Sequence, residues 1–377
     1  MSQLNVDTIK KADGTGNLSV PAETGTVVTT ASPSLGRRNM VLNGSMAVAQ
    51  RGTSATTDGA IVCDRFLNYQ AIGTFTTEQS SDAPDNFTYS LKRTNGTGTT
   101  ATGSQYAMIR YKAEGYDVAH LNQSTSAAQT VTLSFWVKSS VTGTYIVTLS
   151  DGGEDYQYPA SYTINSANTW EQKTVVITGY TGGSGSWSTT NGIGLAVHWD
   201  LGSGPDRQAT TANTWNSNTN SWSHSSQVDW VGTTGATFYI TGVQLEVGSV
   251  ATPFEHRSYG EELALCQRYY QRITKTASDS QVMIANGLVW TNDNGLFTLP
   301  YPVQMRASPT AIEVSSVTDF RTMSAGSGVD TTNMLFERAS KYAIQIRGVT
   351  ASGQTQGNAT ALRIEQNDGY IGWSAEL

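Results

Sequence analysis

At 377 residues the chain is long enough for two or three domains, each able to bury an ordinary core. Only 14% of its residues are charged and Gly (37) far outnumbers Pro (9), the balance of short strands joined by many turns, so the chain reads as all-β. A net charge of −7 with no cluster of Lys and Arg argues against nucleic acid or an anionic membrane surface as partner, because a phosphate footprint needs concentrated positive charge. No run of about 18 apolar residues occurs, so no membrane insertion is expected. The start, MSQLNVDTIKK, lacks the apolar run of an export signal. The expectation is a soluble protein made in a cytoplasm. Cys63 and Cys266 lie far apart, without disulfide-scaffold or metal-ligand spacing, and read as two buried free thiols.

Residues 1–36 hold scattered apolar groups in local alternation, Leu4-x-Val6 and Leu18-x-Val20, too few for an independent core. They read as an extended segment of short strands that needs a partner surface; sister chains could supply one, and disorder is the alternative. From Asn39 the texture changes to NMVLNGSMAVAQRGT and IVCDRFLNY. Strands with two-residue alternation follow: Tyr106–Tyr111, Val131-x-Leu133-x-Phe135-x-Val137, Tyr145-x-Val147-x-Leu149, Val175-x-Ile177 and Ile193-x-Leu195-x-Val197-x-Trp199. A last strand runs from Phe238 to Val247. Its apolar phase slips from even to odd positions across Thr241-Gly242, which a β-bulge explains. Eight to ten strands over residues 37–257 make a jelly-roll-sized β-sandwich.

After Pro253 the period changes. Ser258-x-x-Glu261 reads as a capping box, followed by Leu263, Cys266, Tyr270 and Ile273 at helical spacing, so a short connecting helix is expected over 258–275. Residues 276–377 form a smaller C-terminal β-domain of short runs such as VMIANGLVW, GLFTL and YAIQIRGV. With about a hundred residues and few large side chains, it reads as one protomer's share of an oligomeric β-domain.

Residues 200–230 read as one long loop carrying Trp215, Trp222 and Trp230 in polar sequence. Trp215 and Trp222 fit either a stacking platform or plugs folded over the sandwich edge, and Trp230 fits the core. Asp151, Glu154 and Asp155 crowd a Gly-Gly turn beside Tyr156 and Tyr158, and Asp200 and Asp206 flank another turn beside Trp199. These carboxylates fit solvated turn acids, ligands for Ca²⁺ or sugar hydroxyls, or the acid pair of a glycoside hydrolase. No zinc spacing, nucleophile elbow or nucleotide loop is present. Sugars offer an apolar C–H face and a rim of hydroxyls. Tyr156, Tyr158, Trp187, Trp199, Trp215 and Trp222, with Asp155 and Asp200 at their edges, supply the matching chemistry and are the candidate ligand-binding residues.

Several stretches resemble tail fibre and receptor-binding proteins of tailed bacteriophages, of the type infecting cyanobacteria and other marine or freshwater bacteria. The N-terminal Val6-Asp7-Thr8-Ile9 and Val20-Pro21…Gly25-Thr26-Val27-Val28 are similar to their virion-proximal segment. Asn39-x-Val41-x-Asn43-Gly44-Ser45-Met46, Gln50-Arg51-Gly52 and Asp64-Arg65-Phe66 resemble the opening of a carbohydrate-binding-module-like sandwich in such fibres, which often have Trp in place of Phe66. Thr241 to Gly248, Ala251 to Glu255 and Cys266-Gln267-Arg268-Tyr269-Tyr270 resemble its close, and Tyr301 to Pro309 and Ser374 to Leu377 the distal domain. The resemblance implies a homotrimeric virion component, assembled in the host cytoplasm, in which Leu263, Cys266 and Tyr270 would pack against sister chains. Its N-terminus would join a tail or baseplate protein and its other domains would bind host surface polysaccharide, lipopolysaccharide above all, without catalysis. A glycan depolymerase and a purely structural connector are the alternatives.

Overall fold

The computed structural model describes residues 37–217 and 221–377; the expectations placed on residues 1–36 lie outside them. The chain is mostly β. The first strands are β1 (Ser54–Ala55), β2 (Phe66–Gln70), β3 (Phe75–Ser80), β4 (Ser90–Asn95) and β5 (Tyr106–Glu114), succeeded by a four-residue helix, α1 (Gly115–Val118). Next come β6 (Val131–Ser139), β7 (Gly143–Ser150), β8 (Gln157–Ile164), β9 (Glu171–Ile177) and β10 (Ile193–Ser203). The short pair β11 (Gln208–Ala209) and β12 (Ser223–His224) precedes β13 (Thr237–Val247). These strands build one antiparallel sheet in the order β1-β3-β4-β13-β6-β9 and a second in the order β2-β5-β10-β7-β8. The inward residues of both sheets share one core, in which Val131, Leu133, Phe135 and Val137 alternate with outward neighbours as the period-2 pattern requires.

The expected bulge in β13 is present. Its pairing with β6 shifts register between Thr241 and Gln244, and Gly242 takes a left-handed φ of +60°. The shift lets Phe238 and Ile240 on one side of it and Val243 and Leu245 on the other all face the core. The opening motif clasps this strand. Asn39 Nδ2 donates to Val243 O at 3.0 Å and its Oδ1 accepts from Leu245 N at 3.1 Å, while Val243 N donates to Gly44 O at 2.9 Å. Gly44 lies so close that a Cβ there would sit 2.1 Å from Val243 O. Asn43 N donates to Glu262 Oε1 at 2.6 Å, and Gln50 joins the Asp64 carboxylate to Tyr270 O. Asn39, Asn43, Gln50 and Asp64 of the opening motif therefore form a polar joint, tying the two ends of the sandwich to each other and to the segment that bears Glu262 and Tyr270.

Helix α2 (Tyr259–Gln267) starts where Ser258 Oγ accepts from Glu261 N at 3.3 Å, as the capping box anticipates. It ends sooner than expected. Tyr270–Thr274 is strand β14, paired with β22 (Tyr370–Ser374), which also pairs with β17 (Glu313–Val314). The spacing of Tyr270 and Ile273 fits a helix equally well; a partner strand a hundred residues away decides otherwise. The trimer-packing assignment changes with it. Cys266 and Tyr270 are buried within one chain, Tyr270 beneath the Arg51 guanidinium with its hydroxyl on Glu313, and Leu263 is only half-buried.

The remaining strands, β15 (Val282–Thr291), β16 (Asn294–Pro300), β18 (Phe320–Ser324), β19 (Ser327–Ala339), β20 (Ala343–Thr350) and β21 (Ala359–Ile364), close a barrel in the order β15-β16-β20-β19-β18-β21. Phe297, Phe320, Ile344, Ile346, Leu362 and Ile364 fill it. Closure removes strand edges and gives this unit an enclosed core within one chain.

Candidate functional site

The β7–β8 turn and the loop from Thr178 to Gly192 meet through one carboxylate. Asp151 is fully buried; its Oδ1 accepts from Asp155 N at 2.8 Å and Tyr156 N at 3.0 Å, and its Oδ2 from Ser186 N at 2.7 Å. Gly152 N donates to Ser186 O at 3.0 Å, an approach that only glycine permits, since a Cβ there would lie 2.5 Å from Ile193 O. This staple places Trp187. Its indole N–H donates to Ser184 O at 3.0 Å, and that of Trp215 to Thr178 O at 2.8 Å, so both rings are oriented through their polar tips.

Tyr180 joins these rings. Its centroid lies 4.6 Å from Tyr156, 5.8 Å from Trp187 and 5.2 Å from Trp215, while Trp187 and Trp215 meet edge to face at 5.8 Å. Tyr158 packs against Trp215 from below at 5.5 Å. Tyr158 and Tyr180 are buried, whereas Tyr156, Trp187 and Trp215 are partly exposed. Ser184 Oγ donates to Tyr156 OH at 2.7 Å. Beside Trp187 lies a shallow depression of ≈ 470 Å³ lined by Gly152, Gly153, Ser186, Ser188 and Ile193. Aromatic surface next to neutral hydroxyl and backbone groups suits an uncharged sugar ring. Sequence reasoning reached Tyr156, Trp187 and Trp215 and missed Tyr180, although an aromatic residue inside the polar turn TGYTGG is the same signal that singled out Trp215.

The other candidates lie elsewhere. Trp199 is fully buried between Phe66 and Phe135. Asp200 is fully buried, its Oδ1 accepting from Gly202 N at 3.2 Å and Ser203 Oγ at 2.7 Å, and burial pushes its carboxyl up to about 6. Both belong to β10, whose alternation of Leu195, Val197, Trp199 and Leu201 runs on past the point where the sequence reads as loop. Trp222 is buried on the outer side of the five-stranded sheet, over His198 and against Tyr69 and Tyr106, and so acts as the plug. Trp199, Asp200, Trp222 and Tyr158 therefore present no free face to a ligand, which corrects their assignment.

The acidic groups disperse. Glu154 ion-pairs with Arg110, Asp151 is the staple and holds the backbone N–H of Asp155, and Asp206 sits in the turn after β10, its N–H on Gly103 O. Among the described residues no three His, Cys, Asp or Glu side chains converge as a metal site. Ser150 and His198 meet at 3.0 Å, both fully buried. Ser150 Oγ donates to Asp151 O at 3.1 Å and so accepts from His198 Nε2–H, which leaves that nitrogen without the lone pair a general base needs. Burial, then the charges of Arg110 and Lys112, hold the imidazole well below its usual range.

No protein-family model and no curated protein sequence matches the chain. Among solved structures it is similar to the enzymatically active domain of tailspike protein 4 of bacteriophage CBA120, at 14% identity and a TM-score of 0.30, over 56% of this chain and 21% of that one. It is also similar to a family 11 carbohydrate-binding module from Clostridium thermocellum in complex with a β-1,3-1,4-mixed-linked tetrasaccharide, at 11% identity and a TM-score of 0.27, over 54% of this chain and 98% of the module. A third is the CBM22-1 xylan-binding domain of Paenibacillus barcinonensis Xyn10C, at 10% identity and a TM-score of 0.26, over 54% of this chain and all of that one. Function has to be read from the chain's own side chains.

Proposed function

We propose that the chain is a host-attachment protein of a tailed bacteriophage, a tail fibre or adhesin that binds surface glycan without cleaving it. The edge formed by Tyr156, Trp187 and Trp215 is the contact. The observation that carries the reading is Trp187, oriented by its own N–H bond and half open to solvent beside a depression of sugar size and neutral polar lining. The sequence resemblance to phage fibres supports the virion setting, a tail or baseplate partner for residues 1–36, and lipopolysaccharide as the glycan class.

A site this shallow binds weakly, and a homotrimer would raise its effective affinity by multivalency. Met283, Leu288 and Trp290 stand exposed on β15 and offer an apolar stripe at which copies would meet. Sedimentation at three times the chain mass is expected, and a monomer would overturn the trimer. On a glycan array, Trp187→Ala combined with Trp215→Ala should weaken binding at least tenfold at a temperature where a melting curve shows the variant folded. Unaltered binding would remove the edge as the site. Release of reducing ends from host polysaccharide would instead establish a depolymerase.

A further inference from the structure

A second cavity, of ≈ 560 Å³, opens where the opening motif, the β3–β4 connection and the stretch from His256 into α2 come together. Two glycines of the motifs that carry the family resemblance seat its aromatic wall. Phe87 lies over Gly242, the bulge residue of β13, where a Cβ would meet its ring at 2.7 Å. Phe254 lies over Gly44, where a Cβ would meet its ring at 3.3 Å. The two rings stand edge to face at 5.1 Å, and His256 packs on both, 5.3 Å from Phe87 and 4.9 Å from Phe254. Phe87 is half-buried, while His256 and Tyr259 are exposed, so the wall is held by packing and still keeps ring surface in solvent.

The polar groups of the lining are neutral and open. Gln79 Nε2 donates to Met46 O at 2.7 Å and Ala47 O at 3.2 Å, which turns Oε1 away from both carbonyls and fixes it as an acceptor with no donor among the described residues. The side chains of Ser45, Asn86, Thr88 and Tyr259 also line the cavity and make no hydrogen bond to a described residue. Arg257 and Glu262, the guanidinium and the carboxylate of the lining, are paired at 3.3 Å with their side chains almost fully buried, and Glu262 takes Asn43 N as well. An acidic ligand therefore gains no free guanidinium here. A wholly apolar one would strip water from Gln79 Oε1 and the hydroxyls and give nothing back. Ring surface beside a rim of uncharged donors and acceptors suits a small frame with a C–H face and hydroxyls, which is an uncharged sugar ring.

We infer that this cavity is a second glycan subsite, taking one uncharged sugar unit with its C–H face on Phe87 and His256 and its hydroxyls on Gln79 Oε1 and Tyr259. It extends the proposed glycan binding to another part of the sandwich and shares no residue with the Trp187 edge, so either can fail alone.

The test is saturation-transfer NMR on the intact chain carrying Trp187→Ala and Trp215→Ala, with glucose, galactose, mannose, rhamnose and N-acetylglucosamine as neutral probes and glucuronate and phenol as controls. At least one neutral sugar should still bind, and adding Tyr259→Ala and His256→Ala should weaken that binding by about tenfold. No neutral sugar bound before the second pair of changes, or binding that the second pair leaves unaltered, overturns the inference while the Trp187 edge keeps its own test. Phenol binding without sugar binding overturns it too, since the cavity would then be simply apolar, and so does glucuronate binding more tightly than every neutral sugar. Should the combined variant fail to fold, tyrosine nitration of wild type serves in its place. The sugar should protect Tyr259 and leave Tyr116 and Tyr342 reactive, the three being 60%, 62% and 67% exposed. Equal protection of all three, or of none, counts against the site.

Discussion

Replacing Asp200 by Asn tests whether this carboxylate is a structural residue of the core and no part of a ligand site. The side chain lies on a central strand with no exposure, and burial lifts its pKa from the usual 3.8 to about 6 despite the bonds from Gly202 N and Ser203 Oγ. A rise of about two pH units is worth about 3 kcal/mol, at roughly 1.4 kcal/mol per unit. The folded state binds the proton more tightly than the unfolded one. The stabilisation is therefore complete below about pH 4 and lost as pH rises through about 6. Asn keeps the Oδ1 acceptor and has no charge to bury, but its second amide hydrogen needs a partner, so the expected gain at pH 7 is about 1 to 3 kcal/mol. Urea unfolding of both proteins from pH 3.5 to 8 gives the difference directly. It should be near its minimum at the acid end and reach its maximum above pH 6. Wild type keeps a second slope of the same sign from Asp64, which burial also raises to about 6, and the variant should retain that slope. A difference independent of pH, or a variant destabilised most at pH 7, would refute the reasoning, because the carboxylate would then be held ionised. Glycan binding should be unaltered.

Three further outcomes are expected. Gly44→Ala drives a Cβ into Val243 O, whose residue is tied back to Gly44 by a backbone bond, so unfolding should cost about 2 to 4 kcal/mol less in urea titration. Glu114→Ala strips the buried acceptor that takes Arg268 Nε at 2.8 Å, Arg268 Nη2 at 2.6 Å and Tyr269 OH at 2.7 Å; about 3 to 5 kcal/mol of stability should be lost by the same measurement. Cys63 and Cys266 are buried thiols whose pKa burial drives upward, so neither should react with a thiol reagent in the native state, and both should appear at the rate of global unfolding. Rapid labelling of Cys266 alone would show that α2 opens independently.

The strands of the sandwich were legible because burial on one face writes itself into neighbouring residues. Val131 to Val137 and Phe238 to Val247 show the alternation, and the phase slip at Thr241-Gly242 marks the bulge as plainly as the strand pairing does. What alternation cannot say is what lies opposite. Trp199 and Asp200 looked like loop-edge residues because the Gly-rich turn after them was visible and the continuation of β10 through it was not. Tyr270 fitted a helix until β22 came to pair with it, and the C-terminal strands looked short of a core until their closure into a barrel supplied one. At the Trp187 edge the sequence named three of the exposed or linking rings, but only the Asp151 staple and Tyr180 show that they touch. Local periodicity records which side of a residue is buried; which distant residue meets it is decided by strand pairing and closure, and the Trp187 edge is made of such meetings.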